Sequence, residues 1–325
     1  MKGTVLAIAV LSLGISAGTS AWAQQKLKLA HVYETTEPYH VQSVWAAGEI
    51  AKRTNNRYTI DVFPASQLGS ETQLNQSLPL GTIDMILTGQ SFAAREYPPI
   101  SIGGAPYMFR DFAHWQKFST SPLFAELSEG YRQKSGGNKV VAITYYGERH
   151  VTSNKAINKP EDMKGLKLRV PDAPLYVMYP KIFGANATPI AFAEVYLALQ
   201  NKTVDAQENP LPTILAKKFY EVQTHVNLTG HITEMLFAIV GGPLWSKLSD
   251  ADKKIFQAVF QEAAAKSNAE IIAAEQRLAT EFATKYGKTV VNPDREAFKK
   301  LAAPFHLSAD VPWDKALYDK VQAIK

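Results

Sequence analysis

One stretch of the sequence decides the fold: Asp162-Met163-Lys164-Gly165-Leu166-Lys167-Leu168-Arg169-Val170-Pro171. From Leu166 onward, apolar and basic residues alternate with the period of two that is typical of a β-strand. Pro171 cannot donate a hydrogen bond to a neighbouring strand, so the strand should end there with Arg169 near its carboxyl edge. Ligands of open α/β sheets bind at such edges, and a guanidinium matches a carboxylate with two hydrogen bonds. The stretch therefore predicts an anion site.

Three more residues around this strand are candidates for the same site. Arg149 follows an apolar segment that predicts a strand, and Asn209 precedes Pro210 on what we expect to be a loop. The amide of Asn209 offers a donor and an acceptor. Phe192, at the start of a predicted helix, offers an apolar wall. Each has an ordinary alternative role, because single arginines are usually exposed or ion-paired, amides often satisfy turns, and phenylalanines usually pack in the core.

Strands and helices alternate outward from this stretch. Strands are predicted at 27–32, 58–63, 83–87, 140–145 and 166–170, with a turn or short strand at 204–205. Helices are predicted at 38–54, 175–183 and 192–200, and a loop followed by a helix at 67–80. The order predicts an α/β protein whose parallel sheets are covered by helices. A chain of 325 residues favours two such lobes over one. We expect Val41, Val44 and Trp45 to form the buried face of the first helix.

A long helix is predicted near the carboxyl end. Ser249 and Asp252 form a capping-box-like start, apolar residues recur at helical spacing up to Phe282, and Gly287 can end the run. At 1.5 Å per residue, such a helix is ~50 Å long. It is long enough to lie across both lobes.

The amino terminus has the pattern of a secretory signal. Met1-Lys2 precedes an apolar run at 5–15, and Ala21-Trp22-Ala23 fits a small-x-small cleavage site. Cleavage after Ala23 would leave a mature chain that begins at Gln24. The apolar run is shorter than the ~20 residues that span a bilayer. We therefore expect an exported protein in the periplasm.

The composition of the chain limits the kinds of site that it can form. The chain has no cysteine, which excludes disulfides and thiolate metal sites, and its 7 histidines are dispersed, so we expect no metal and no cofactor. The formal charge of +5 comes from scattered basic residues, which suits an anionic small molecule better than nucleic acid. The nucleophile-elbow, metalloprotease, P-loop and dinucleotide-binding motifs are absent from the sequence. We therefore expect a binding protein and not an enzyme.

Several segments together resemble the solute-binding subunit of tripartite ATP-independent periplasmic (TRAP) transporters, in the carboxylate-binding DctP-type group. These segments are Pro64–Gly69, Arg149–Asn154, Asp162–Pro171, Thr188–Gln200, Val204–Pro210 and Lys218–Gln223. The likeness extends over nearly the whole mature chain. A run of this length is far more specific than one short motif.

The resemblance implies a type II-like periplasmic binding-protein clamshell, in which each lobe is a sheet flanked by helices and a long helix spans both lobes. Lobe I would comprise residues 24–146 with about 235–274, and lobe II residues 147–234 with about 275–325. The resemblance also implies that Arg169 holds the ligand carboxylate, with other ligand-contacting positions at Arg149, Phe192 and Asn209. The positions where family members vary their substrate contacts would be Tyr33, Glu34 and Gln90.

The partners implied by the resemblance are a small organic acid and the permease subunits of an ion-gradient-driven transporter. Sialate-binding relatives carry an acidic residue at about the position of Gly89, so its absence here argues against sialic acid. A hydroxy acid or sugar acid, such as an aldonate or uronate, is favoured because Tyr33, Glu34, His40 and Gln90 are polar. An aromatic or branched 2-hydroxy acid is the alternative, since Tyr33 and Phe192 could instead supply an apolar wall.

Three other functions are compatible with the same clamshell. It could serve an ATP-driven importer, which a neighbouring ATPase gene would indicate. It could present its ligand to a sensor kinase, which a neighbouring histidine kinase gene without a permease gene would indicate. It could also be an enzyme on a binding-protein scaffold, for which turnover of a bound acid would be the sign.

Overall fold

The computed structural model describes residues 24–325, so the predicted signal peptide at 1–23 lies outside the described residues. The strands are β1 (Gln25–Ala30), β2 (Tyr58–Phe63), β3 (Met85–Gly89), β4 (Lys139–Ser153), β5 (Lys167–Val170), β6 (Asn186–Pro189), β7 (Ala206–Pro210), β8 (His225–Val240) and β9 (Thr289–Val291). The helices are α1 (Pro38–Arg53), α2 (Glu71–Ser77), α3 (Gln90–Ala93), α4 (Phe112–Ser119), α5 (Pro122–Lys134), α6 (Met178–Ile182), α7 (Val195–Gln200), α8 (Leu211–Ala216), α9 (Gly242–Trp245), α10 (Asp250–Thr284), α11 (Arg295–Ala302) and α12 (Lys315–Gln322).

The strands form one sheet in the order β2-β1-β3-β8-β4-β7-β5-β6, with β9 beside β8. The predicted β-α-β arrangement is confirmed in both halves. β1 pairs in parallel with β2 and β3, and β5 pairs in parallel with β6 and β7. The carboxyl ends of β1, β5 and β7 lie beside one cavity, which is lined by Tyr33, Pro171 and Asn209 among others.

Two long antiparallel strands join the halves of the sheet. β4 has 15 residues and β8 has 16, whereas the sequence predicted only the first part of β4 and no strand at 225–240. Their register shifts between Tyr145 and Gly147, a β-bulge at which Gly147 has a φ of +116°. A Cβ at Gly147 would lie 2.6 Å from Oε1 of Glu275, so only glycine fits here without displacing the Glu275 side chain. The two lobes therefore share one continuous sheet.

The long helix is confirmed as α10, whose 35 residues extend ~52 Å. Ser249 caps it by accepting a hydrogen bond from the backbone N–H of Asp252. The predicted buried face of α1 is wrong, because Val41 and Val44 are 47% and 49% exposed. The residues of α1 that are buried instead are Tyr39, Gln42, Ser43, Ala46, Ala47 and Ile50. Within residues 24–325, no helix has the length and apolar character needed to cross a membrane.

Candidate functional site

A small cavity of about 20 Å³ lies at the centre of the molecule. The sequence-predicted residues that line it are Tyr33, Arg149, Arg169, Phe192 and Asn209. Tyr33 comes from the loop after β1, whereas Arg149, Arg169 and Asn209 lie on the adjacent strands β4, β5 and β7. The topology therefore brings together residues that are far apart in the sequence.

Arg169 is the arginine of the cavity whose hydrogen bonds to described residues go only to a backbone carbonyl oxygen. Its Nε and Nη2 both donate to the carbonyl oxygen of Ile190, at 3.0 and 2.6 Å. Its Nη1 has no hydrogen-bond partner among the described residues, although the side chain is only 1% exposed. Burial lowers the pKa of Arg169 to about 10, which still leaves it charged at neutral pH. A buried, incompletely paired guanidinium is a site for an anion.

Arg149 is held by an ion pair inside the sheet. Its Nη2 donates to Oε1 of Glu208 at 2.8 Å, and His231 lies 3.1 Å from the other carboxylate oxygen. Although burial opposes ionisation, the Arg149 guanidinium and His231 lower the pKa of Glu208 to about 2. Burial lowers the pKa of His231, and because the Glu208 carboxylate can only accept, Nε2 of His231 is the donor of their hydrogen bond. This network fixes Arg149 beside the cavity.

Two details of the sequence prediction are corrected here. Arg149 lies within β4 rather than at a strand exit, because β4 continues to Ser153. Asn209 lies in β7 rather than on a loop, and His150 is its partner in β4. Its Oδ1 accepts a hydrogen bond from Nη2 of Arg149 at 3.3 Å, and its Nδ2 donates to Gln207 at 2.6 Å. The amide is therefore oriented by its neighbours rather than by a turn.

The structure does not bring Glu34 and Gln90 to this cavity. Glu34 forms an ion pair with Lys217 at 2.7 Å. Gln90 is buried, and its Nε2 donates to Oε1 of Glu234 at 2.8 Å. Their contact with a ligand stays a prediction.

Glu71, Tyr146 and Tyr176 also line the cavity but were missed from the sequence. Glu71 begins helix α2, so it has the pattern of an ordinary helix-start charge. Its Oε1 accepts from the backbone N–H of Gly89 at 2.6 Å. Burial, only partly opposed by this bond, raises the pKa of Glu71 to about 7. A half-buried carboxyl at this place can bond a hydroxyl of a ligand in either protonation state.

The packing around Gly89 explains why no acidic side chain stands there. A Cβ at this position would lie 2.8 Å from Oη of Tyr176. Tyr176 itself donates to Oε2 of Glu234 at 2.7 Å, so it cannot move without losing a buried hydrogen bond. A larger residue at position 89 would require Tyr176 and Glu234 to be arranged differently.

A second pocket of about 180 Å³ adjoins the first and shares Glu71, Phe92, Arg169 and Phe192 with it. The polar residues of its lining are Ser70, Thr72, Asp172 and Glu194. If the carboxylate of a bound acid contacts Arg169, hydroxyl and carboxylate side chains of this pocket would therefore line the rest of the acid's carbon chain.

The raised pKa of Glu71 predicts a pH-dependent effect of Glu71→Gln on stability. A carboxyl whose pKa rises from 4.5 in the unfolded chain to about 7 stabilises the fold below pH 4.5, and this contribution is lost as pH rises through 7. The variant and the wild type should therefore be equally stable at pH 4, whereas the variant should be more stable at pH 8, by at most ~3 kcal/mol. Urea unfolding at pH 4, 6 and 8 measures this difference. A difference that does not change with pH would contradict it.

Comparisons with known proteins support one family. The model of the bacterial extracellular solute-binding proteins, family 7 (DctP), matches residues 29–310. The sialic acid-binding periplasmic protein SiaP of Vibrio cholerae is 32% identical over 99% of both chains. The 2,3-diketo-L-gulonate-binding periplasmic protein YiaO of Escherichia coli is 31% identical over 92% of this chain and 91% of its own. A TRAP periplasmic solute-binding protein of Polaromonas, bound to D-erythronate, is similar in structure, with a TM-score of 0.87, 34% identity and coverage of 92% of this chain and 99% of that one.

Proposed function

The chain belongs to family 7 of the bacterial extracellular solute-binding proteins, the TRAP periplasmic binding proteins, and we propose that it captures a small sugar acid or hydroxy acid. The single observation that carries this proposal is the free Nη1 of buried Arg169 in the central cavity. We propose that this group binds the ligand carboxylate, with Arg149 and Asn209 beside it. The captured acid would pass to membrane permease subunits for ion-gradient-driven uptake.

The composition of the adjoining pocket supports a hydroxylated acid over an aromatic one. Ser70, Thr72 and Asp172 can exchange hydrogen bonds with hydroxyl groups along a carbon chain. The relatives point the same way, because YiaO is named for 2,3-diketo-L-gulonate and the Polaromonas protein holds D-erythronate. Sialic acid is disfavoured despite the similarity to SiaP, because the packing at Gly89 leaves no room for an acidic side chain.

Contacts between the proposed lobes suggest how the site closes. Thr213 donates to the buried Glu37 at 2.6 Å, Lys217 pairs with Glu34 at 2.7 Å, and Arg95 donates to the carbonyl oxygen of Asp172 at 2.7 Å. A cavity of about 20 Å³ holds little more than a water molecule. An aldonate would therefore enter while the lobes are apart, and the closed form would be selected to the extent that the ligand binds it better.

Loss of the Glu34–Lys217 pair should weaken ligand binding modestly. Lys217→Met removes the ammonium group, which also lies 5.0 Å from the centre of the Phe192 ring, and keeps an apolar side chain of similar length. A partly exposed ion pair contributes ~0.2–1 kcal/mol, so the dissociation constant should rise up to about five-fold. Calorimetric titration measures this change, and Lys218→Met, at an exposed neighbouring position, is the matched control. A Lys217→Met variant that binds more tightly would exclude a closing role for the pair.

The function is tested by a thermal-shift screen of the mature chain, from Gln24, against aldonates, uronates, C4-dicarboxylates, aromatic acids and sialate. A ligand at a hundred times its dissociation constant adds ~2.7 kcal/mol to the free energy of unfolding, which shifts the melting temperature by several degrees. A shift confined to sugar acids or hydroxy acids supports the proposal. No shift with any acid, after unfolding and refolding to remove bound ligand, would contradict it.

A further inference from the structure

The outer side of β4 is open in the first half of the strand. β4 pairs with β8 from Lys139 to Ser153, but it pairs with β7 only from Arg149 onward. Between residues 139 and 147, no strand of the described chain covers its other side. Such an edge presents N–H and C=O groups that another chain can bond.

A groove of about 550 Å³ runs along this edge. Helices α4 and α5 form one wall and α10 forms the other. The groove shares no residue with the acid site. Its walls carry mainly neutral groups that can bond peptide units, among them Gln116, Ser121, Gln257 and Gln261.

The direction of the free backbone groups follows from the register. The N–H of Tyr145 donates to Oδ1 of Asn268 on α10 at 2.7 Å, so it points away from β8. The pairing of Ala142 to Tyr145 with β8 is regular, and N–H groups alternate in direction along an antiparallel strand. The N–H and C=O of Ile143 therefore point into the groove. A bulge between Val140 and Ala142 limits regular pairing to the part of β4 that follows it.

Two side chains of the groove lining favour particular chemical groups in a bound molecule. Trp115 is 1% exposed, and its Nε1–H has no acceptor among the described residues. A buried indole N–H normally has a partner, so an acceptor of a bound molecule would satisfy it. Lys139 is the one charged side chain of the described lining, and it lies at the beginning of β4. A bound molecule that carries a carboxylate at this end would complement it.

We propose that this groove binds an extended polypeptide segment of a partner protein, which adds to β4 as a further strand. The segment bonds the backbone of Ile143, offers a carbonyl oxygen to Trp115, and places an acidic side chain beside Lys139. A polypeptide fits these groups because its donors and acceptors repeat along the strand at the spacing of β4 itself.

A labelled peptide tests the proposal. The probe is a fluorescein-labelled Thr-Val-Thr-Val-Thr-Glu hexapeptide with neutral ends, and the control is the same peptide N-methylated at every inner residue, which cannot join a ladder. Fluorescence anisotropy should show saturable binding of the probe to the mature protein and none of the control. Absence of saturable binding, or equal binding of the methylated peptide, overturns the proposal.

Three variants locate the binding. Ile143→Pro removes the outward N–H without removing a bond to β8, and it should weaken probe binding at least ten-fold. Trp115→Phe should weaken it several-fold. Lys139→Glu should weaken binding of the probe and should favour a second probe in which the terminal glutamate is replaced by lysine. Unlike Ile143→Pro, this charge exchange tests the groove without placing a proline in β4. A variant is shown to be folded if the acid that raises the melting temperature of the wild type also raises that of the variant. Probe binding that none of the three variants changes overturns the proposal.

Discussion

Arg169→Ala should weaken acid binding by ten-fold to more than a hundred-fold. The variant removes the arginine of the described cavity that has no carboxylate among its hydrogen-bond partners and whose buried Nη1 has no hydrogen bond. Hydrogen bonds to a charged group contribute ~1.5–3 kcal/mol each, and ~1.4 kcal/mol is a factor of ten in affinity. Calorimetric titration with the acid found by thermal shift measures the loss.

The stability of the Arg169→Ala variant without ligand distinguishes binding from folding. A buried charge without a full set of partners opposes folding, so the variant should unfold at a temperature equal to or above that of the wild type. Arg169→Lys is the matched control. It keeps the charge, but a lysine cannot bond Ile190 and a carboxylate with one planar fork, so its affinity should be intermediate. If the Arg169→Ala variant bound the acid as tightly as the wild type, the proposal that Arg169 binds the ligand carboxylate would be wrong.

The sequence was sufficient for the fold class, and it singled out residues that the fold brings together around one cavity. Alternation around Arg169, with Pro171 as a stop, predicted a strand with Arg169 near its carboxyl edge, and β5 ends at Val170 with Arg169 in the lining of the cavity. Arg149 and Asn209 were found because the resemblance covered their segments. Their exact setting in β4 and β7 was not predicted, since strand pairing between residues about 60 positions apart is not visible in local periodicity.

The missed or misplaced residues have a common physical cause. Glu71 has a polar neighbourhood in the sequence, yet tertiary packing partly buries it against Gly89, the last residue of β3. Gln90 follows a strand as expected, but its side chain turns to Glu234, which is 144 residues away. Val41 and Val44 are apolar but exposed, whereas Gln42 and Ser43 are buried, because Gln42 bonds Glu270 and Ser43 bonds the backbone of α1. Polar groups are buried when they find such partners, and local sequence does not reveal them.

Glu208→Gln should destabilise the fold by ~3–5 kcal/mol, because it leaves the Arg149 guanidinium buried without a counter-charge. Both side chains are about 2% exposed, so water cannot replace the lost carboxylate. The glutamine can keep its carbonyl oxygen as acceptor for Nε2 of His231, but its NH2 group then faces Nη2 of Arg149, so one hydrogen bond is lost together with the charge. Urea unfolding at pH 7 measures the change.

The double variant Arg149→Met with Glu208→Gln separates charge from packing. If the destabilisation comes from an unpaired buried charge, removal of the second charge should restore most of the lost free energy of unfolding, since replacing a whole buried ion pair is often nearly neutral. The double variant should still fail to bind acid at the wild-type affinity, because a cation beside the cavity is gone. A double variant as unstable as Glu208→Gln alone would show instead that the hydrogen-bond geometry of the Arg149–Glu208–His231 network, and not its charge balance, holds the central strands in register.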